Sequence, residues 1–100
     1  MTIQVRIGSY EREITDASPA WINEQIDNRR NEGVAVCVQV IIDQGEVKLA
    51  LATTECMNTP GGSRPLNPKE NEIVALWEKL HLNEKTFTGG NLVAFLKQVS

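Results

Sequence analysis

Residues 34–52, VAVCVQVIIDQGEVKLALA, decide the fold, because apolar side chains alternate along two runs that meet at a glycine-containing turn. Every second position of the first run is β-branched, as strands prefer: Val34, Val36, Val38, Val40 and Ile42. The returning run continues the alternation with Val47, Leu49 and Leu51. A two-residue turn at Gln44-Gly45 sets Ile42 opposite Val47 and buries both sets together, whereas a three-residue loop would set Val40 opposite Lys48. The stretch therefore predicts a hairpin with one buried face and a turn at Gln44-Gly45.

The opposite face of this hairpin carries small or mixed side chains. They are Ala35, Cys37, Gln39, Ile41, Lys48, Ala50, Ala52 and Thr54. Antiparallel sheets commonly bury one face and leave the other solvated. This face is therefore either partly wet or closely approached, and it could receive a partner or a second copy of the chain.

The N-terminal residues predict a second hairpin. Ile3, Val5 and Ile7 alternate with polar residues, and Gly8-Ser9 provides a two-residue turn with glycine in the first position. Pairing across this turn sets Ile7 opposite residue 10, Ile3 opposite residue 14, and basic residue 6 opposite acidic residue 11.

Three helices complete the predicted architecture. Ser18-Pro19 has the cap and first-turn residues of a helix that runs to about residue 31. Asn67, followed three residues later by Glu70, resembles a capping box for a helix ending near residue 82, and Thr88 or Asn91 caps the last helix. The sequence thus predicts an α+β fold in the order ββαββαα, with an antiparallel sheet of two hairpins and helices packed mainly on one face. Strand order across the sheet is not predicted.

Length, composition and charge bound the class of protein. One hundred residues predict a single domain over 1–100, with 41% hydrophobic and 23% charged residues and a net charge of −3. This charge argues against a nucleic-acid partner, because such proteins normally carry a basic surplus. No basic stretch precedes an apolar run at the start, and the longest apolar stretch, residues 34–42, is too short for a membrane helix. We therefore expect a soluble cytoplasmic protein without a membrane partner.

The residues that carry metal or thiol chemistry are few. In the cytoplasm we expect Cys37 and Cys56 to be reduced. Cys37 alternates with core valines, whereas Cys56 lies in a long loop and is the candidate reactive thiol, with Arg64 as the basic residue nearby in sequence. The single histidine, His81, is interpreted as a surface residue near a helix end. The spacing of these residues predicts no metal site, no cofactor and no catalytic residues.

Residues 54–67 are a long loop, and loops of this length are often functional or mobile. Gly61, Gly62, Ser63 and Arg64 form its candidate binding segment, because glycine amides can approach an anion and an arginine can bind it with two hydrogen bonds. The phosphate-binding pattern G-x-x-x-x-G-K-[ST] is absent. The simpler interpretation of this segment is a flexible surface turn, and the functional one is a loop that contacts a partner or ligand.

Trp21, on the thin apolar stripe of the first helix, is a further candidate contact residue. The leading hypothesis is a small non-catalytic protein–protein interaction or regulatory module that contacts another protein or itself. The alternative is a domain, enzymatic or not, that binds a small anion or nucleotide through Gly61, Gly62, Ser63 and Arg64. Nucleic-acid binding is the third hypothesis.

Overall fold

A computed structural model describes residues 2–8, 10–56 and 64–100. Its elements confirm the α+β class and the order ββαββαα. They are β1 (Thr2–Ile7), β2 (Tyr10–Glu13), α1 (Pro19–Asn31), β3 (Val38–Gln44), β4 (Val47–Ala52), α2 (Pro68–Lys79) and α3 (Gly89–Val99).

The four strands form one antiparallel sheet in the order β2-β1-β3-β4. The two hairpins therefore join through β1 and β3, and β2 and β4 are the edges. This order, which the sequence left open, places Val5 opposite Val40 and Ile3 opposite Ile42 in the middle of the sheet. The apolar faces of both hairpins become one continuous surface.

The register of the first hairpin is as predicted, with Ile7 opposite Tyr10 and Arg6 opposite Glu11. The turn predicted at Gln44-Gly45 is wrong. Gln44 pairs with Val47, so the turn is Gly45-Glu46, and the register is displaced by two residues. Gly45 takes the first turn position with φ +58°, as Gly8 does with φ +64°. A displacement of two residues keeps every side chain on its face, so burial alone does not distinguish the two registers.

The helices begin at the predicted capping residues. The Ser18 side chain accepts a hydrogen bond from the Trp21 amide, and the Thr88 side chain accepts one from the Asn91 amide, so Thr88 rather than Asn91 caps α3. Asn67 and Glu70 form the capping box of α2, which ends at Lys79, three residues before the predicted end.

The helices supply the second half of the core. Apolar residues of α1 and α3, together with Trp77 of α2, pack with the buried side chains of β1, β3 and β4. Trp77 meets Phe95 edge to face, with 5.1 Å between ring centroids. Within the described part of the chain, no helix is long and apolar enough to cross a membrane.

Candidate functional site: the open sheet face and the clamped edge

The open sheet face, meaning the side turned away from the core, consists of cross-strand rows. One row contains Glu13, Gln4, Ile41 and Ala50, and the next contains Glu11, Arg6, Gln39 and Ala52. The members of these rows on β1, β3 and β4 are partly buried, whereas the alternating residues of the same strands are mostly buried in the core. The open face therefore runs from charged residues at the β2 edge to Ala50 and Ala52, with Lys48 beside them, at the β4 edge.

The backbone N–H and C=O groups of successive β4 residues point alternately toward β3 and away from the sheet. The Thr53 amide donates to the Val38 carbonyl over 3.0 Å, which fixes the phase of the ladder. Antiparallel hydrogen bonding uses every second residue on one side, so Lys48, Ala50 and Ala52 direct their backbone groups outward. Such groups on an edge strand form a template on which another strand can pair.

At Lys48, two side chains from outside the sheet form hydrogen bonds with the outward-pointing amide and carbonyl. Glu70 Oε2 accepts the Lys48 amide over 3.0 Å, and Arg64 donates to the Lys48 carbonyl. Arg64 also donates to both carboxylate oxygens of Glu70, over 3.0 and 2.6 Å. We call Arg64 and Glu70 the edge clamp, because together they bind one backbone unit of β4 as a neighbouring strand would.

Glu70 is the anchor of this arrangement. Its side chain is 1% exposed and it also accepts the Asn67 amide over 2.9 Å as part of the capping box. Hydrogen bonds from Arg64, then from the Asn67 and Lys48 amides, lower the pKa of Glu70 to about 2. The hydrogen bond to Glu70 raises the pKa of Arg64. The pair is therefore ionised at every physiological pH, and it fastens the start of α2 to the sheet edge.

The structure gives Arg64 a partner inside the chain. Its side chain is 51% exposed, yet its guanidinium donates to Glu70 and to backbone carbonyls. An anion at Arg64 would have to compete with a buried carboxylate, so the anion-binding role of Arg64 stays a prediction that this geometry disfavours. Gly61, Gly62 and Ser63 lie outside the described residues.

The sequence-based prediction of reduced cysteines is wrong. Cys37 and Cys56 form a disulfide across 19 residues of sequence, and neither cysteine is free. The candidate reactive thiol, Cys56, is therefore not a thiol in this structure. The prediction rested on the expected cytoplasmic setting and not on where the fold places the two cysteines. The Cys56 amide in fact donates to the Thr53 carbonyl, which turns the chain back toward the start of β3.

Trp21 is half-buried, and the guanidinium of Arg12 lies 5.2 Å from its ring centroid. Arg12 belongs to the edge strand β2, so Trp21 lies near that edge of the sheet. Arg64 is bound to β4, so the two predicted contact residues, Trp21 and Arg64, lie near opposite edges. They do not form one surface, and the contact role of Trp21 stays a prediction.

The single histidine follows α2. His81 is exposed, has φ +61°, and its Nδ1 lies 3.2 Å from a carboxylate oxygen of Glu84. Over residues 2–8, 10–56 and 64–100, no three His, Cys, Asp or Glu side chains are grouped so that they could hold a metal ion.

Sequence reasoning recognised Glu70 as a helix-capping residue and missed that it also binds the sheet edge. The hydrophobic pattern contains no signal for that contact, because it depends on where α2 docks.

Neither family models, nor curated proteins, nor solved structures give a match to this chain. The fold and its surfaces therefore carry the functional argument.

Proposed function

We propose that this domain is a non-catalytic protein-interaction module whose contact surface is the open sheet face. The observation that carries the proposal is the contrast between the two faces. The described helices pack with the core side, and the other side presents Ile41 and Ala50 as opposed neighbours on β3 and the edge strand β4. Protein interfaces combine an apolar centre with a polar rim.

The charges on this face favour a protein over a nucleic acid. Arg6 is paired with Glu11 over 2.9 Å, and Glu13 ends the neighbouring row. A nucleic-acid site needs an excess of basic residues to displace counterions from phosphates. The proposed partner is another protein or a second copy of this chain, and the proposal requires no cofactor.

The proposed setting is the cytoplasm, on one condition. Cytosolic thiols are kept reduced, and cytosolic disulfides are mostly transient or redox-sensing. A cytoplasmic location therefore requires that the Cys37–Cys56 bond can be reduced and formed again.

The test uses the same substitution on and off the proposed surface. Ala50→Arg places a long charged side chain at the apolar β4 end of the open face, and Ala75→Arg places one on the exposed surface of α2. Sedimentation velocity measures self-association, and cross-linking in host lysate with mass spectrometry identifies partners. We expect Ala50→Arg to abolish the association that the wild type shows, while Ala75→Arg retains it. An association that survives Ala50→Arg, or the absence of any association in both assays, contradicts the proposal.

A further inference from the structure

The Cys37–Cys56 bond joins two segments that flank the central hairpin. Cys37 comes directly before β3, Cys56 follows β4 by four residues, and their Cα atoms are 4.6 Å apart. Both cysteines are half-buried, and neither belongs to the buried apolar cluster. The bond is thus placed at the border of the sheet, where a reductant can reach it without opening the core.

The positions of the two cysteines are also fixed by hydrogen bonds that do not involve sulfur. Thr53, which is 2% exposed, accepts the Val38 amide on its hydroxyl over 3.0 Å and donates that hydroxyl to the Val36 carbonyl over 3.3 Å. Val36 and Val38 are the neighbours of Cys37 in sequence. The Cys56 amide donates to the Thr53 carbonyl over 3.1 Å. Thr53 therefore contacts both cysteine-bearing segments, and the Gly8 amide adds a hydrogen bond to the Cys37 carbonyl over 3.1 Å.

From this arrangement we infer that Cys37 and Cys56 form a reversible redox pair, with Thr53 as the residue that positions it. An external dithiol supplies two electrons and two protons. Its thiolate attacks one sulfur to give a mixed disulfide, and its second thiol releases the protein as two thiols while the reagent becomes a cyclic disulfide. Glutathione disulfide reverses the reaction and leaves as two molecules of glutathione.

Reduction changes the protein locally. The Thr53 hydrogen bonds keep the two thiols near each other, so the bond forms again within one molecule without a search through unfolded states. Residues 54–56 lose their covalent attachment to Cys37, directly before β3, whereas the sheet keeps its ladder. The pair therefore distinguishes two folded states that differ in the freedom of the segment after β4.

The test measures the redox equilibrium of the full chain in glutathione buffers of graded composition. Samples are quenched with a thiol-alkylating reagent, and mass spectrometry gives the reduced fraction. Thr53→Val removes the hydroxyl and keeps the shape, Thr53→Ser keeps the hydroxyl, and Thr54→Val is the matched control at the exposed neighbouring position. A lost hydrogen bond holds the two thiols of the reduced protein together less firmly. We therefore expect Thr53→Val to be half reduced at a ratio of the squared glutathione concentration to the glutathione disulfide concentration about tenfold lower than the wild type requires. Thr53→Ser and Thr54→Val should stay near the wild-type midpoint.

Amide exchange of the reduced wild type provides a second measurement that does not depend on a variant folding. Protection should remain in β3 and β4 and should fall at residues 54–56. Loss of protection throughout both strands would show that the bond is a fixed staple, and it would overturn the proposal. An unchanged redox midpoint in folded Thr53→Val would overturn the positioning role of Thr53. A wild-type disulfide that no glutathione buffer reduces would overturn the reversible redox pair itself.

Discussion

Removing the disulfide is expected to weaken the domain without unfolding it. The bond closes a loop with a sequence separation of 19. Cross-linking a loop of about 20 residues lowers the entropy of the unfolded chain by roughly 11 cal/mol/K, which is about 3 kcal/mol at 25 °C. A domain of this size has a free energy of unfolding of about 5–15 kcal/mol. The reduced domain should therefore stay folded, with a smaller margin.

Urea unfolding of Cys37→Ala, Cys56→Ala and the double variant, followed by tryptophan fluorescence, measures this loss. For a urea m-value of about 1.5 kcal/mol/M, 3 kcal/mol moves the midpoint by about 2 M. Either single substitution breaks the same bond, so the double variant should lose little more than each single one. Additive losses, or a loss in the double variant below about 1 kcal/mol, would refute the reasoning that the bond acts through the unfolded chain.

Three further predictions follow from other contacts. Gly45→Ala should cost about 1–2 kcal/mol for its positive φ. Gly8→Ala should cost a similar amount for φ +64°, because the atoms its methyl carbon would meet belong to the end of the flexible Arg29 side chain, which can move aside. Chemical denaturation measures both losses, and an unchanged stability in either variant would contradict the turn geometry. The pKa of Glu70 falls from 4.5 to about 2 on folding, so its contribution to stability is complete above pH 4.5 and is lost as the pH falls toward 2. As the pH is lowered from 4.5 toward 2, the urea midpoint should fall less steeply for Glu70→Gln than for the wild type. Equal slopes for the two proteins would contradict the lowered pKa of Glu70. Phe95→Ala should cost about 3–5 kcal/mol in thermal or urea unfolding, because this ring is fully buried, and a loss under 1 kcal/mol would be incompatible with that placement.

Local patterns predicted the elements because their causes are local. Ser18, Asn67 and Thr88 begin helices by accepting hydrogen bonds from amides three residues ahead, which a sequence displays directly. The turn at Gly45 was missed by one position because both registers bury the same face. A rule that places glycine first in the turn, as at Gly8, would have found the correct register.

Contacts between distant segments were not predictable in the same way. The pairing of β1 with β3 depends on how the two hairpins dock. Each hairpin has one apolar face whichever of its strands joins the other hairpin, so the pattern does not say which strands pair. The disulfide depends on a turn after β4 that Thr53 and Cys56 form together. The second role of Glu70 depends on the position of α2 against β4. These three features arise from tertiary packing, and alternation and capping contain no information about them.

The two sheet edges explain why the face, rather than an edge, is the proposed contact surface. β2 is short, its Glu11 and Glu13 are exposed, and the Glu13 carbonyl already accepts amides from the following turn. Along β4, a pairing strand would have to displace Glu70 and Arg64 from the backbone of Lys48. Charged, short or covered edges discourage strand addition. A partner that avoids both edges can still reach the sheet through the open face, and weakening the clamp by Glu70→Gln should expose the β4 edge to self-pairing that the wild type resists.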